Sequence, residues 1–121
     1  MLEVVRGREA LALVPQDNPF NETPAPGMEF VAVKLRARYI ATVDEPPGHI
    51  FDLDFGVIGE SNVTYDPPVV DEPAPALNVY LYPGGEYEGW MILQTREGSM
   101  ELVLVFLPYS SPRAYYMSLV P

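Results

Sequence analysis

The chain has 121 residues, of which 48% are hydrophobic, and its 17 acidic and 7 basic side chains give a formal net charge of −10. The hydrophobic content excludes global disorder, and the length predicts one domain over residues 1–121. So acidic a surface repels phosphate backbones, which excludes nucleic acid as a partner, and the lack of Cys excludes disulfides and thiolate chemistry.

Fourteen Pro and nine Gly interrupt the chain, and no window keeps the 3.6-residue period of a helix. Short runs rich in β-branched and aromatic residues alternate with Pro-rich loops, which predicts an all-β fold without a helix. No apolar run reaches the roughly 20 residues of a membrane span. Because no export signal precedes the domain, we expect either a cytosolic protein or an exported one whose signal has been removed.

The first segment is apolar around Gly7, and we predict one bent strand or two short ones over 2–6 and 10–14. The loop over 15–27 contains four Pro, so it is neither helix nor central strand. Phe20, in the middle of this loop, is predicted to anchor it on the core.

The longest predicted strand is 28–40. Its alternation places Val31, Val33, Leu35, Ala37 and Tyr39 on one face and Lys34, Arg36 and Arg38 on the other. The three basic residues form a ladder. Two interpretations remain open: pairing with acids on a neighbouring strand, or a site for an anion or an acidic partner.

After a turn at 44–48, His49 is predicted to lie in a loop. The segment 51–57 alternates between apolar residues and Asp52, Asp54 and Gly56, so we predict one half-buried strand with both acids on its solvent face. A turn at 59–62 leads into 63–65, and 66–76 is a Pro-rich crossover. Residues 77–81 alternate again.

The stretches 86–95 and 101–107 are predicted to form a hairpin around a turn at 96–99. In the second of these, Val103, Val105 and Leu107 oppose Leu102, Leu104 and Phe106, and a strand apolar on both faces needs cover on both. We therefore place this hairpin at the centre of a sheet. A closing strand follows at 114–120. The predicted core is Val33, Leu35, Phe51, Leu53, Leu102, Leu104 and Phe106.

The order of four segments resembles a family of bacterial telokin-like extracellular domains of unknown function. Gly27, Phe30 and Val31 match its first strand motif, and Phe51 and Leu53 match its middle hairpin, although Phe55-Gly56 stands near the usual Asp. Leu81, Pro83, Gly84 and Gly89 match its last motif. The resemblance implies an immunoglobulin-like antiparallel β-sandwich of about seven to nine strands, carried on secreted proteins or lipoproteins, with no catalytic residues.

The densest acidic cluster is formed by Asp44, Glu45, Asp52 and Asp54. Asp52 and Asp54, predicted on one strand face, are carboxylates of the kind that act as glycosidase acids or bind hard cations. However, the cluster lacks the spacing of a calcium loop. His49 is the only histidine, and no nucleophile motif accompanies it. We therefore predict no catalytic residues, no metal site, no cofactor and no enzymatic activity.

The leading hypothesis is a non-catalytic extracellular module for protein interaction or structural spacing. The alternative is a carbohydrate- or divalent-cation-binding module, in which Trp90 and nearby Tyr side chains stack on a sugar. Two acidic copies repel each other, whereas unpaired edge strands at 2–6 and 115–120 can join them. We therefore predict a monomer, or a weak homodimer formed through these edge strands. The candidate ligand or partner contacts are Lys34, Arg36, Arg38, Asp52, Asp54 and Trp90.

Overall fold

The computed structural model describes residues 2–107 and 115–119. Over these residues the chain is mostly antiparallel β, which confirms the predicted class. The elements are β1 Glu3–Arg6, α1 Arg8–Leu13, β2 Met28–Arg38, β3 Gly48–Phe51, a 3-10 turn Asp52–Asp54, β4 Phe55–Ile58, a 3-10 turn Glu60–Asn62, β5 Asn78–Leu81, β6 Glu86–Arg96, β7 Val103–Phe106 and β8 Tyr115–Ser118.

The described strands form three antiparallel sheets, ordered β1-β2-β6, β3-β5 and β4-β7-β8. The longest pairing joins β2 to β6 over all eleven residues of each strand, from Met28 opposite Arg96 to Arg38 opposite Glu86. The predicted faces of β2 are confirmed, because Val31, Val33 and Leu35 enter the core on one side while Arg36 and Arg38 are exposed on the other. Phe30 and Ala32, at the start of that other face, are also buried.

Two apolar clusters lie on opposite faces of the β1-β2-β6 sheet. The larger lies between the β1-β2-β6 and β4-β7-β8 sheets, with the partly buried Ile50 of β3 packed against it. Its buried members are Val31, Val33, Leu35, Phe55, Val57, Leu77, Met91, Leu93, Leu102, Leu104 and Leu119. The smaller is formed by Ala10, Val14, Phe30, Ala32, Trp90 and Ile92. Of the predicted core, Val33, Leu35, Leu102 and Leu104 are therefore confirmed, and Phe106 packs at its margin.

The prediction of strand over 10–14, and of no helix, is wrong. Gly7 has a φ of 65°, which turns the chain out of β1 so that α1 begins at Arg8. The helix consists mainly of good helix formers, but six residues are too few for a 3.6-residue period to be recognised. Burial of Ala10 in the smaller cluster decides the structure here, since so short a helix is unstable alone.

The predicted hairpin of 86–95 with 101–107 is also wrong, because the two stretches belong to different sheets. One side of β6 pairs with β2 along its whole length. On the other side, Trp90 N–H donates to Pro75 O and Leu77 N–H donates to Trp90 O, each at 2.8 Å. The second edge of β6 is thus contacted by residues 75–77 at Trp90, and β7 instead lies between β4 and β8.

The predicted single strand over 51–57 is broken by the first 3-10 turn. The N–H of Phe51 donates to Asp54 Oδ2 at 3.2 Å, and the turn changes which residues face inward. Asp54 is consequently buried, whereas Leu53 is 68% exposed and does not belong to the core. Phe51 is half-buried. The expectation that Asp52 and Asp54 share a solvent face is therefore wrong.

Two further loop predictions are wrong. Phe20 is 87% exposed, because its loop is held by polar contacts: Phe20 N–H donates to Asn18 Oδ1, and Asp71 N–H donates to Asn21 Oδ1. His49 lies within β3 and not in a loop, since it pairs with Tyr80 of β5.

The predicted closing strand is confirmed as β8 for its described part, while Ala114 and Val120 lie outside the described residues. The turn at 59–62 contains the second 3-10 turn and leads to a single bridge between Ile58 and Thr64. None of the helical structure in the described part of the chain is long and apolar enough to span a bilayer.

Candidate functional site

The basic ladder on β2 lies directly opposite acids on β6. Arg36 donates to Glu88 Oε1 through Nη2 at 2.8 Å and Nε at 3.0 Å, and Arg38 Nε lies 3.7 Å from Glu86 Oε1. The hydrogen bond from Arg36 and then its charge hold the pKa of Glu88 below its ordinary value. This arrangement favours the first of the two interpretations, cross-strand pairing, over an open anion site.

Trp90 lies beside the same ladder and is only 8% exposed. The Nζ atom of Lys34, its cross-strand neighbour, lies 5.7 Å from the centroid of the ring, within reach of a cation–π contact. Because the indole belongs to the smaller core cluster and its remaining surface faces a cation, it does not offer an open face to a sugar.

A row of stacked aromatic rings, two of them exposed, lies instead on the β3-β5 ribbon. The His49 ring stacks on Phe51 and on Tyr80, with 4.3 Å between centroids in each case, and its Nε2 lies 2.7 Å from Asn78 Oδ1. Both faces of the imidazole are therefore occupied. Of this row, the outer face of Tyr80, which is 68% exposed, remains the main surface for stacking a ligand.

The two predicted acidic site residues are directed to different surroundings. Asp54 is buried and bound to backbone, whereas Asp52 contacts Glu72 in the crossover. Burial, followed by the hydrogen bond with Asp52 and the charge of Asp52, raises the pKa of Glu72 to about 7. Within residues 2–107 and 115–119, no group of three or more His, Asp or Glu side chains is placed to hold a metal ion.

Charge is segregated between two parts of the molecule. Between Arg38 and Arg96 the sequence contains no Lys or Arg, and we call residues 39–85 of this stretch the acid-rich region. Its acids are Asp44, Glu45, Asp52, Asp54, Glu60, Asp66, Asp71 and Glu72. The basic residues in the described part of the chain lie on β1, α1, β2 and β6, and they are Arg6, Arg8, Lys34, Arg36, Arg38 and Arg96.

An apolar groove lies on the outer face of the β4-β7-β8 sheet, with a volume of about 360 Å³. Gly56, within β4, contributes no side chain, and a Cβ atom there would meet no atom of the described residues within 4 Å. The lining also includes Ile58, Tyr65, Val105 and Tyr116. We call this feature the Gly56 groove.

Strand pairing explains why the Gly56 groove is apolar. Gly56 pairs with Val105 and Val105 with Tyr116, so all three point to the outer face, opposite the buried Val57 and Leu104. Neither core cluster of the described residues includes Val105 or Ile58. Tyr116 is 66% exposed.

Acids lie at both ends of this face. Ile58 pairs with Val103, so Glu60 and Glu101, each two residues beyond that pair, extend from the same end of the sheet, and both are exposed. At the opposite end, Leu107 N–H donates to Asp54 O at 2.8 Å, next to the turn that carries Asp52.

The sequence did contain a signal for this groove. Val103, Val105 and Leu107 made β7 apolar on both faces, but that pattern was interpreted as burial on both sides. In the structure one face enters the core, and Leu107 on the other is 53% exposed.

Comparison with models of known protein families, with curated proteins and with solved structures found no match.

Proposed function

We propose that this chain is a non-catalytic, immunoglobulin-like extracellular module that binds a protein partner in the Gly56 groove. The observation that carries the proposal is a set of large apolar side chains held outward on a regular sheet, around a glycine that leaves room for a ligand. A structural spacer requires no such groove, so interaction is favoured over spacing.

The fold and location in this proposal rest on two supports. Antiparallel sheets that share one apolar core are compatible with a sandwich, in which the sheets face each other. The resemblance to bacterial telokin-like domains implies the immunoglobulin-like arrangement and placement on a secreted protein or lipoprotein.

The absence of catalysis is proposed from the chemistry of the candidate groups. The imidazole of His49 is stacked on both faces and bonded to Asn78, and Asp54 binds backbone. In the described part of the chain, neither side chain forms a hydrogen bond with a Ser or Thr hydroxyl that it could activate by acid–base catalysis. Ester, peptide and glycoside substrates should therefore give no turnover above that of a heat-inactivated control.

The binding proposal is tested by selecting peptides from a random display library on the wild-type protein, with counter-selection on Gly56→Val. The new side chain fills the groove and suits a strand, and no atom of residues 2–107 and 115–119 lies within 4 Å of the position of its Cβ. Ala12→Leu is the matched control, because it adds the same number of carbon atoms at an exposed site on α1.

We expect peptides that bind the wild-type protein and Ala12→Leu equally and lose binding to Gly56→Val. Two results would show that the groove is not a protein-binding surface: peptides that bind Gly56→Val as well as they bind the wild-type protein, or no enriched peptide at all.

A carbohydrate-binding module remains the second candidate, favoured by the exposed rings of Tyr80 and Tyr82, at 68% and 70% exposure. If it is correct, a glycan array should show a ligand whose binding is lost in Tyr80→Ala and retained in Gly56→Val. A ligand insensitive to Tyr80→Ala would contradict this candidate.

A further inference from the structure

We infer that the partner of the Gly56 groove is a basic polypeptide segment, with apolar side chains at its centre and Lys or Arg on both sides. This inference rests on the proposed function, because it assigns the chemistry of the partner at the same groove. The groove itself requires only an apolar ligand. The acidic side chains around it favour an apolar segment that is flanked by basic residues.

The apolar part of the partner is defined by the outer face of β4 and β7. β4 has four residues, so the groove floor extends about 13 Å along the strand, the length of roughly four extended residues. Ile58 and Val105 are half-buried at the floor, and Tyr116 and Leu107 are exposed beside them. A short extended segment with large apolar side chains matches this length and chemistry.

The basic part of the partner is required by the acids at both ends. Glu60 and Glu101 extend from one end of the face, and Asp52 follows the other end through the first 3-10 turn. Asp66 is the next residue in the chain after Tyr65, which lines the groove, and it is exposed. Cationic side chains that flank an apolar centre are attracted to these positions, whereas an acidic segment is repelled.

Within the described residues, no cation of the chain itself neutralises this rim. The strands β4 and β7 and the segment 59–66 contain no Lys or Arg. The basic residues of β1 and β2 include Arg6, which pairs with Glu29, and Arg36, which pairs with Glu88. A second copy is a poorer occupant, since it brings its own excess of negative charge, and three of its cations, Arg6, Arg36 and Arg38, already lie in ion pairs.

The test uses the full chain labelled with ¹⁵N and three synthetic heptapeptides as probes. The first is Lys-Lys-Val-Leu-Val-Lys-Lys, the second replaces every Lys by Glu, and the third keeps Lys but replaces the centre by Ser-Gly-Ser. Amide shifts are followed at Gly56, Ile58 and Val105 during each titration. All three peptides are blocked at both ends so that terminal charges do not contribute.

We expect saturable shifts at these amides with the first peptide alone, lost in Gly56→Val and weakened by added salt. The double variant Glu60→Lys/Glu101→Lys should bind about tenfold or more weakly. Glu3→Lys/Glu97→Lys changes the net charge equally at exposed sites on β1 and the turn after β6, and should bind like the wild-type protein. Circular dichroism checks that each variant is folded.

The remaining outcomes overturn the inference in distinguishable ways. Equal shifts with the Ser-Gly-Ser peptide would show charge attraction without a groove. Equal binding of the Glu peptide at Gly56 would reject the basic partner and leave the proposed function standing. No shift with any peptide, together with no peptide from the display selection, would reject both. Shifts at Gly56 that depend on protein concentration alone would assign the groove to a second copy.

Discussion

The β1-β2-β6 sheet and the acid-rich region differ in how their charged side chains are compensated. On the sheet, cations lie opposite acids on the neighbouring strand, as in Arg36 with Glu88 and Arg38 with Glu86. In the acid-rich region no Lys or Arg is available from the local chain. There Asp54 binds a backbone N–H, and the carboxyl of Glu72 contacts that of Asp52.

This difference teaches that strand register, more than total charge, decides which surface is open to a charged partner. β2 and β6 stay in register for eleven residues, so alternating charges meet opposite charges and neutralise each other. The acids of the acid-rich region lie in turns and loops, and β3, β4 and β5 contain none, so no pairing of these strands places a cation opposite an acid. Exposed acids of the region, such as Glu60, remain available to cations from outside the chain, which is the physical basis of the partner inferred above.

The largest effect is expected in the core that connects the two regions. Leu104 of β7 is fully buried, so Leu104→Ala should lower the free energy of unfolding by about 2–5 kcal/mol. Val105→Ala, on the outer face of the same strand, should cost less than about 1 kcal/mol, because Val105 is half-buried. Urea unfolding of both variants measures the difference, and equal losses would mean that both faces of β7 are core.

The next effect concerns the carboxyl pair of the acid-rich region. At a pH below its ordinary pKa, the Glu72 carboxyl is protonated in both the folded and the unfolded chain. As the pH rises toward the pKa of about 7 that Glu72 has in the folded chain, the carboxyl ionises freely only in the unfolded chain. Stability from the raised pKa is thus present at low pH and lost between about pH 4.5 and pH 7. Allowing for solvent screening, we expect a loss on the order of 1 kcal/mol.

Glu72→Gln cannot ionise, so its free energy of unfolding should fall less between pH 5 and pH 8 than that of the wild-type protein. Denaturant unfolding at pH 5 and at pH 8 measures this change in the free energy of unfolding. Glu60→Gln, which removes an exposed carboxyl, is the control. Parallel pH dependence in Glu72→Gln and the wild-type protein would contradict the assigned carboxyl pair.

A gain in stability is expected at the groove. Glycine inside a strand costs roughly 0.5–1 kcal/mol relative to residues with a side chain, and Gly56 has open space above it. Gly56→Val should therefore unfold at the same urea concentration as the wild-type protein or a higher one. A clear loss of stability would mean that the outer face is more closely packed than the structure shows.

A smaller effect is expected from the ladder. Arg36→Met removes an exposed ion pair with Glu88, and such pairs add little stability because water and salt screen them. The variant should differ slightly from the wild-type protein in thermal unfolding at low salt and not at all in 1 M NaCl. A large, salt-independent loss would show that the ladder is structural rather than a solvated surface.

The smallest effect is weak self-association. β1 is an edge strand of its sheet, so it can pair with a second copy once salt screens the repulsion between acidic chains. Light scattering should show a monomer at low salt and some dimer at high salt, reduced by Val4→Lys. A dimer that weakens with salt would instead indicate attraction between the ladder of one copy and the acid-rich region of another.

Local alternation made much of the fold predictable from sequence. The two faces of β2 were assigned correctly, as were Leu102 and Leu104 in the core, whereas pairing of the basic ladder with acids was one of two interpretations that the sequence left open. These features depend on the two-residue period of a strand and on burial of one face, and residues close together in the sequence set both.

The errors arose where one local pattern fits two structures. Residues 51–57 alternate like a strand, but the carboxylate of Asp54 bonds to the N–H of Phe51 and closes a 3-10 turn instead. Residues 8–13 are too few to show helical periodicity. In both segments a single tertiary or side-chain contact outweighs a weak local preference.

What the sequence determined by itself was the β class, the charge imbalance and the strand faces, because composition and period act over a few residues. Only the tertiary structure decided that β6 pairs with β2 and not with β7, that Asp52 meets Glu72, and that the outer face of β7 is left partly open. Each of these depends on residues distant in sequence competing for the same hydrogen bonds and the same apolar surface. A local sequence pattern does not tell which of two possible strand pairings, or which of two apolar faces, is more stable in the folded chain, because pairing and burial depend on the whole chain.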